Sequence, residues 1–165
     1  MMDFLRMIEE TSFATWVRES PSTWSFPAIL LVHTIGMAFV VAVSAGIDLR
    51  ILGMAPALRV APLEKYIPVL WLGFWLNAIT GTMLLSADAS MKLTNPDFYV
   101  KMAFIALSLI NLRMIRKHVF RDPNIESGKF SSKARFLAWS SLFCWIVVIT
   151  SGRLLAYVGS TSTYK

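Results

Sequence analysis

The 165-residue chain is 56% apolar, 16% charged and 13% aromatic, with a net charge of +6 and a mean hydropathy of +0.58. Soluble domains sit nearer about 45–50% apolar and about 25% charged, so disorder, collagen and small disulfide scaffolds are excluded and an integral membrane domain is expected. One cysteine, Cys144, rules out an intramolecular disulfide, and two histidines, His33 and His118, limit histidine-based metal chemistry. The positive charge follows membrane topology, so nucleic acid is not an expected partner; the lipid bilayer is.

Residues 1–25 read as one short amphipathic helix on a membrane interface, with Phe4, Leu5, Ile8, Ser12 and Trp16 near one face. Ser20-Pro21 ends it, and Trp16, Trp24 and Phe26 suit an aromatic belt. A cleaved signal peptide is not expected, because this stretch is net negative and the apolar run after it is too long. The first span is read over 26–47, a charge-free run of 22 residues, with Pro27 in the tolerated first turn. The second covers 67–87, 21 residues without a charge. Asn95-Pro96-Asp97 forms a turn with a capping residue ahead of a third span over 98–115, in which Lys101 and Arg113 lie near the ends. Asp122-Pro123-Asn124 and Ser127-Gly128 mark a loop, and a fourth span covers 136–158. The expected fold is therefore all-α, a single four-transmembrane-helix bundle with a short N-terminal amphipathic interfacial helix.

Ten of the sixteen Lys and Arg residues fall in the first and third connections. By the positive-inside rule those loops face the cytoplasm and both termini face the periplasm of a bacterial inner membrane.

An ionisable group at membrane depth is a functional-site candidate by default. His33 lies about 10 Å into the first span at ~1.5 Å per residue, with Met37 one turn deeper. Three readings are open for it: a neutral histidine bonded to a neighbouring helix, a ligand to haem iron, or a proton-carrying or quinone-binding group. Asn77, Thr80, Gly81 and Thr82 share its depth on the second helix. Lys101 and Tyr99 share it on the third, and Ser151, Gly152, Arg153 and Tyr157 on the fourth. His33, Lys101 and Arg153 are thus expected to converge on one pocket suited to haem propionates, a quinone oxygen or a lipid phosphate; the ordinary alternative has both cations reaching for headgroups. The candidate cofactor-binding set is His33, Met37, Lys101, Arg153 and Tyr157, with His33 as the metal ligand and haem b or a quinone as the cofactor.

Gly73, Asn77 and Gly81 make a small face on the second helix, suited to close helix packing or to a flat ring. Lys101, Ser108, Asn111 and Ile115 form a seam on the third. Asp48 is expected to pair with Arg50, Arg113 or Arg116 at the cytoplasmic mouth in a structural role, leaving no intramembrane carboxylate for proton coupling. His118, among Arg116, Lys117 and Arg121, reads as a solvated surface histidine. Its axial distance from His33, about 20 Å or more, prevents the two from clamping one haem within one chain. A haem would then be five-coordinate, take a second ligand from another helix, or lie between protomers. Cys144 reads as a small core residue, and phosphate loops, zinc motifs and nucleophile–base pairs are absent.

The segments Arg18-Glu-Ser20, Trp24-Ser-Phe26-Pro27, His33-Thr-Ile-Gly36 and Asp48-Leu-Arg50-Ile-Leu-Gly53 resemble a family of small, uncharacterised bacterial four-helix membrane proteins. So do Trp75, Thr80-Gly81, Asn95-Pro-Asp-Phe98, Lys101, Asn111 and Ser151-Gly-Arg153-Leu-Leu-Ala-Tyr157. The resemblance covers nearly the whole chain. The family is distantly similar to cytochrome-b-type and copper-resistance membrane domains, which carry a first-helix histidine followed by glycine. The resemblance implies a histidine five residues after Asn111; this chain has Arg116 there, with His118 two residues on. Two functions are carried forward: a haem- or quinone-linked electron-transfer subunit, and a non-catalytic subunit that packs against partners. Either is expected to work as a homo-oligomer or with other membrane subunits.

Overall fold

The computed structural model describes residues 2–121 and 130–161, with side chains described as far as Leu155. The described residues form helices and connecting turns with no strand. In chain order they are α1 (Met2–Glu9), α2 (Ser12–Glu19), α3 (Phe26–Ile51), α4 (Val60–Leu63), a 3₁₀ turn (Glu64–Tyr66), α5 (Ile67–Ala87), α6 (Ala89–Thr94), α7 (Pro96–His118) and α8 (Ser132–Thr161). Four segments are long and apolar enough to cross a membrane: Phe26–Ile51, Val60–Ala87, Pro96–His118 and Ser132–Leu155.

The architecture is two antiparallel pairs, α3 with α5 and α7 with α8, joined where α3 packs on α8. Each long helix buries a narrow stripe and leaves the rest apolar and exposed. On α3 the stripe is Ile29, His33, Gly36, Val40, Ser44, Ile47, Asp48 and Ile51, while Leu30, Leu31, Ile35 and Phe39 face outward. A helix apolar on nearly every side suits lipid, and a stripe spaced by three and four residues is the seam that antiparallel helices share.

Helix α3 outruns its charge-free segment by a full turn. It ends at a C-terminal motif in which Gly53 takes φ +81°. The Gly53 amide donates to the Arg50 carbonyl at 3.1 Å, and that of Met54 to Leu49 at 3.0 Å. Only glycine enters this left-handed position without strain. The helix therefore runs past the charge-free span read over 26–47 and includes Asp48. At α7 the Asn95 side chain caps as expected, accepting the Asp97 amide at 2.9 Å.

The N-terminal segment is two helices rather than one. Thr11 accepts the Ala14 amide at 3.3 Å and starts a new helix, which resets the phase of the apolar face. The buried positions are accordingly Leu5, Ala14 and Val17; Phe4, Ser12 and Trp16 are exposed. Val17 packs with Ile29 and Ala87 at the mouth of α3 and α5. Arg18 donates to the Ala87 carbonyl at 3.1 Å, and Glu9 receives the Ser90 amide and hydroxyl at 2.7 and 2.6 Å. Helices α1, α2 and α6 thus cover one end of the bundle, here the capped end; the opposite end is the loop end. The expected loop motifs at Asp122-Pro123-Asn124 and Ser127-Gly128 lie outside the described residues.

Candidate functional site

The α3–α5 interface is set by glycine. A Cβ on Gly73 would lie 2.7 Å from the Gly36 carbonyl oxygen and 2.9 Å from Phe39 Cβ; one on Gly36 would lie 3.0 Å from the Gly73 carbonyl oxygen. The backbones therefore cross in direct contact, the usual result of small residues facing each other in a membrane bundle. Asn77, one turn beyond Gly73, donates to the His33 carbonyl at 2.7 Å. The small face expected on the second helix is thus used inside the chain.

This crossing places His33 against α5. Its Nδ1 lies 2.9 Å from the Thr80 hydroxyl. That hydroxyl donates its single proton to the Leu76 carbonyl at 2.6 Å, so it receives a proton from the ring. The network assigns the imidazole proton to Nδ1 and leaves the lone pair on Nε2, which has no hydrogen-bond partner among the described residues. Fixing one ring nitrogen is how the other is oriented for a ligand. The ring fits because position 81 is glycine: a Cβ there would lie 3.2 Å from His33 Cε1. His33 is 8% exposed, and the only sealed, unpartnered side-chain oxygens or nitrogens among the described residues are those of Asp48. Nε2 therefore keeps accessible surface.

The second helix pair brings a cation. Lys101 of α7 is half-buried and lies over Gly152 of α8, its Nζ 3.6 Å from where a Cβ of that glycine would be. Its charge acts on the His33 ring, as does that of Lys92 from α6 more weakly. Lys92 is held by Asp88 at 3.3 Å and by the Leu84 carbonyl.

Of the three groups expected to converge, His33 is buried on α3, Lys101 is half-buried beside Gly152, and Arg153 is exposed, one residue beyond that glycine. Met37 is half-buried one turn from His33. Tyr157 lies on α8 beyond the residues whose side chains are described. Ser108, Asn111 and Ile115 are buried along the α7 seam, and Asn111 donates to Ser140 of α8 at 3.0 Å. His118 is exposed at the loop end, its Nδ1 2.8 Å from the Met114 carbonyl and its Nε2 3.1 Å from Lys133 Nζ.

The Asp48 expectation is corrected. Among the described residues Asp48 makes no ion pair, and it is fully buried with no hydrogen-bond partner on either carboxylate oxygen. The arginines are engaged elsewhere or exposed. Arg116 pairs with Glu64 at 3.2 Å, Arg50 donates to the Leu58 carbonyl and lies over Phe130 at 5.7 Å, and Arg113 is exposed. A buried carboxylate is therefore present within a helix long and apolar enough to cross a membrane. Sequence reading also passed over Ser141 and Trp145, although the α8 stripe Ala134, Leu137, Ala138, Ser141, Cys144, Trp145, Val148, Ser151 carries the same spacing as that of α3.

Comparison with protein-family models, with curated proteins and with solved structures gives no match.

Proposed function

We propose that the chain is a membrane subunit for electron transfer that binds b-type haem through His33, where α3 crosses α5 near the capped end. The observation that carries this reading is the Thr80 bond to Nδ1, which leaves Nε2 as a fixed lone pair with no hydrogen-bond partner among the described residues. Bound haem would supply one-electron chemistry. His33 would hold the iron, Thr80 would fix the ring and Lys101 would pair with a propionate carboxylate, a charge-assisted contact. A quinone in its reduced, quinol form is the alternative ligand of the same groups, its hydroxyl donating to Nε2 and its other oxygen accepting from the lysine ammonium. In this reading the capped end faces the periplasm of a bacterial inner membrane, on the cation asymmetry, and the chain works in a homo-oligomer or with other membrane subunits.

One observation favours the non-catalytic reading. Asn77 and the Gly36–Gly73 crossing serve helix packing alone, so part of the polar content near His33 has a structural use. The test is an absorbance titration of the purified protein with haemin, and in parallel with a short-chain quinone in its reduced, quinol form. A Soret band that shifts on reduction, is lost in His33→Ala and is unchanged in His118→Ala supports haem; saturable quinone binding with the same mutational pattern supports the alternative. Binding of neither leaves the packing subunit.

A further inference from the structure

Asp48 has no part in the site above. It lies fifteen residues further along α3, about 22 Å at ~1.5 Å per residue, and about one turn from the helix end at Gly53. Its exposure is 0%. Its helix neighbours Ile47 and Ile51 belong to an apolar cluster with Val60, Ile115, Leu137 and Ala138. A second cluster holds Val40, Leu70, Leu112, Trp145 and Val148. The hydroxyls of Ser141 on α8 and Ser44 one turn back on its own helix act on it, and neither makes a hydrogen bond to its oxygens as the side chains stand. These two hydroxyls are 3.4 Å apart, and Ser44 accepts the Trp145 indole N–H at 2.9 Å.

Buried ionised carboxylates are strongly disfavoured unless paired and hydrogen-bonded. Among the described residues no charged side chain hydrogen-bonds either Asp48 oxygen. Arg50 on α3 bonds Leu58, and Arg116 on α7 bonds Glu64 of the connecting segment. Arg59, Lys65, Arg113, Lys133 and Arg135 are exposed. A metal cation would find two carboxylate oxygens, two hydroxyls and otherwise aliphatic walls, short of the oxygen shell a hard cation takes. A proton needs one oxygen to carry it and one to receive it. With Trp145 donating to Ser44, the Ser44 proton is free for one Asp48 oxygen, and an acid proton on the other can be received by Ser141.

We propose that Asp48 is a proton-binding site: it carries one proton as a neutral acid between Ser44 and Ser141 and exchanges it with the aqueous phase. Uptake converts the carboxylate to the acid and removes one negative charge; release restores it. The site takes a proton, not a metal ion, and does not depend on what binds at His33.

The test is infrared spectroscopy of the full-length protein in lipid nanodiscs with isotope-labelled aspartate. At neutral pH a carboxylic-acid C=O band is expected that shifts in D2O, is lost in Asp48→Asn and moves in Ser141→Ala as its hydrogen bond changes. Exchanging sodium for potassium should leave it in place. If Asp48→Asn does not fold, Asp48→Glu should keep an acid band at a displaced frequency. No acid band at neutral pH would overturn the proposal. So would conversion of the acid to the carboxylate on adding sodium, which would make this a cation site. An acid band that never shifts in D2O would also overturn it, because a sealed proton does not exchange.

Discussion

Thr80 decides what His33 can do. As long as the Thr80 hydroxyl donates to Leu76, it can only accept from the imidazole, and Nε2 carries the lone pair. Thr80→Val keeps the shape of the side chain and removes the acceptor. It is expected to weaken haem or quinone binding by roughly 10–100-fold, the usual effect of losing the group that orients a ligating histidine, with little change in helix content; a ligand titration checks it. His33 was legible in the sequence because it is the one ionisable residue in an otherwise apolar half-span. Its partner was not, because Thr80 lies 47 positions away and is one of several hydroxyls at the same depth. Asp48 was misplaced for a different reason. The charge-free run stops at Ile47, but the buried stripe Val40, Ser44, Ile47, Asp48, Ile51 continues through it. Following the stripe rather than the charge would have put the carboxylate inside the bundle. Trp145→Phe removes the indole donor to Ser44 and is expected to cost about 1 kcal/mol, the net worth of one hydrogen bond, readable in a denaturant unfolding curve in detergent.

Helix contacts explain why these side chains meet. The Gly36–Gly73 crossing sets the separation of α3 and α5, and with it the reach from His33 to Thr80 and from Asn77 to the His33 carbonyl. Gly73→Ala would bring a methyl to 2.7 Å from a backbone oxygen, which a side-chain rotation cannot relieve. It is expected to destabilise the bundle by about 1–3 kcal/mol, as overpacking does, and to weaken ligand binding at His33. Gly46 is the control, because a Cβ there meets nothing within 4 Å. Gly46→Ala is expected to be neutral or to gain up to about 1 kcal/mol from helix propensity. Thermal denaturation of the two variants in one detergent separates them. The small face on α5 was visible in the sequence as Gly73, Asn77 and Gly81. Its counterpart on α3 was a single glycine in an apolar run, and single glycines do not announce a crossing. The break between α1 and α2 was likewise hidden, since one threonine cap resets a face that otherwise reads as continuous.

At the scale of the whole molecule, four apolar runs gave four spanning helices, because a bilayer leaves few alternatives to a helix whose backbone bonds close within itself. Which helices pair was not in the runs; it follows from where glycines and buried hydroxyls fall. Two consequences are open to measurement. Reporter fusions at residue 125 and at the C-terminus should report opposite compartments, with the C-terminal one periplasmic; both in one compartment would contradict the orientation. The electron-transfer reading rests on the free ring nitrogen of His33, and it is tested most directly by the haemin titration of the purified protein, wild type against His33→Ala. The account predicts a saturable Soret band that shifts on reduction in the wild type, is lost in His33→Ala, is weakened in Lys101→Ala and is intact in His118→Ala. A His33→Ala protein that binds haemin as well as the wild type, or a wild type that binds neither haemin nor quinone, would contradict it.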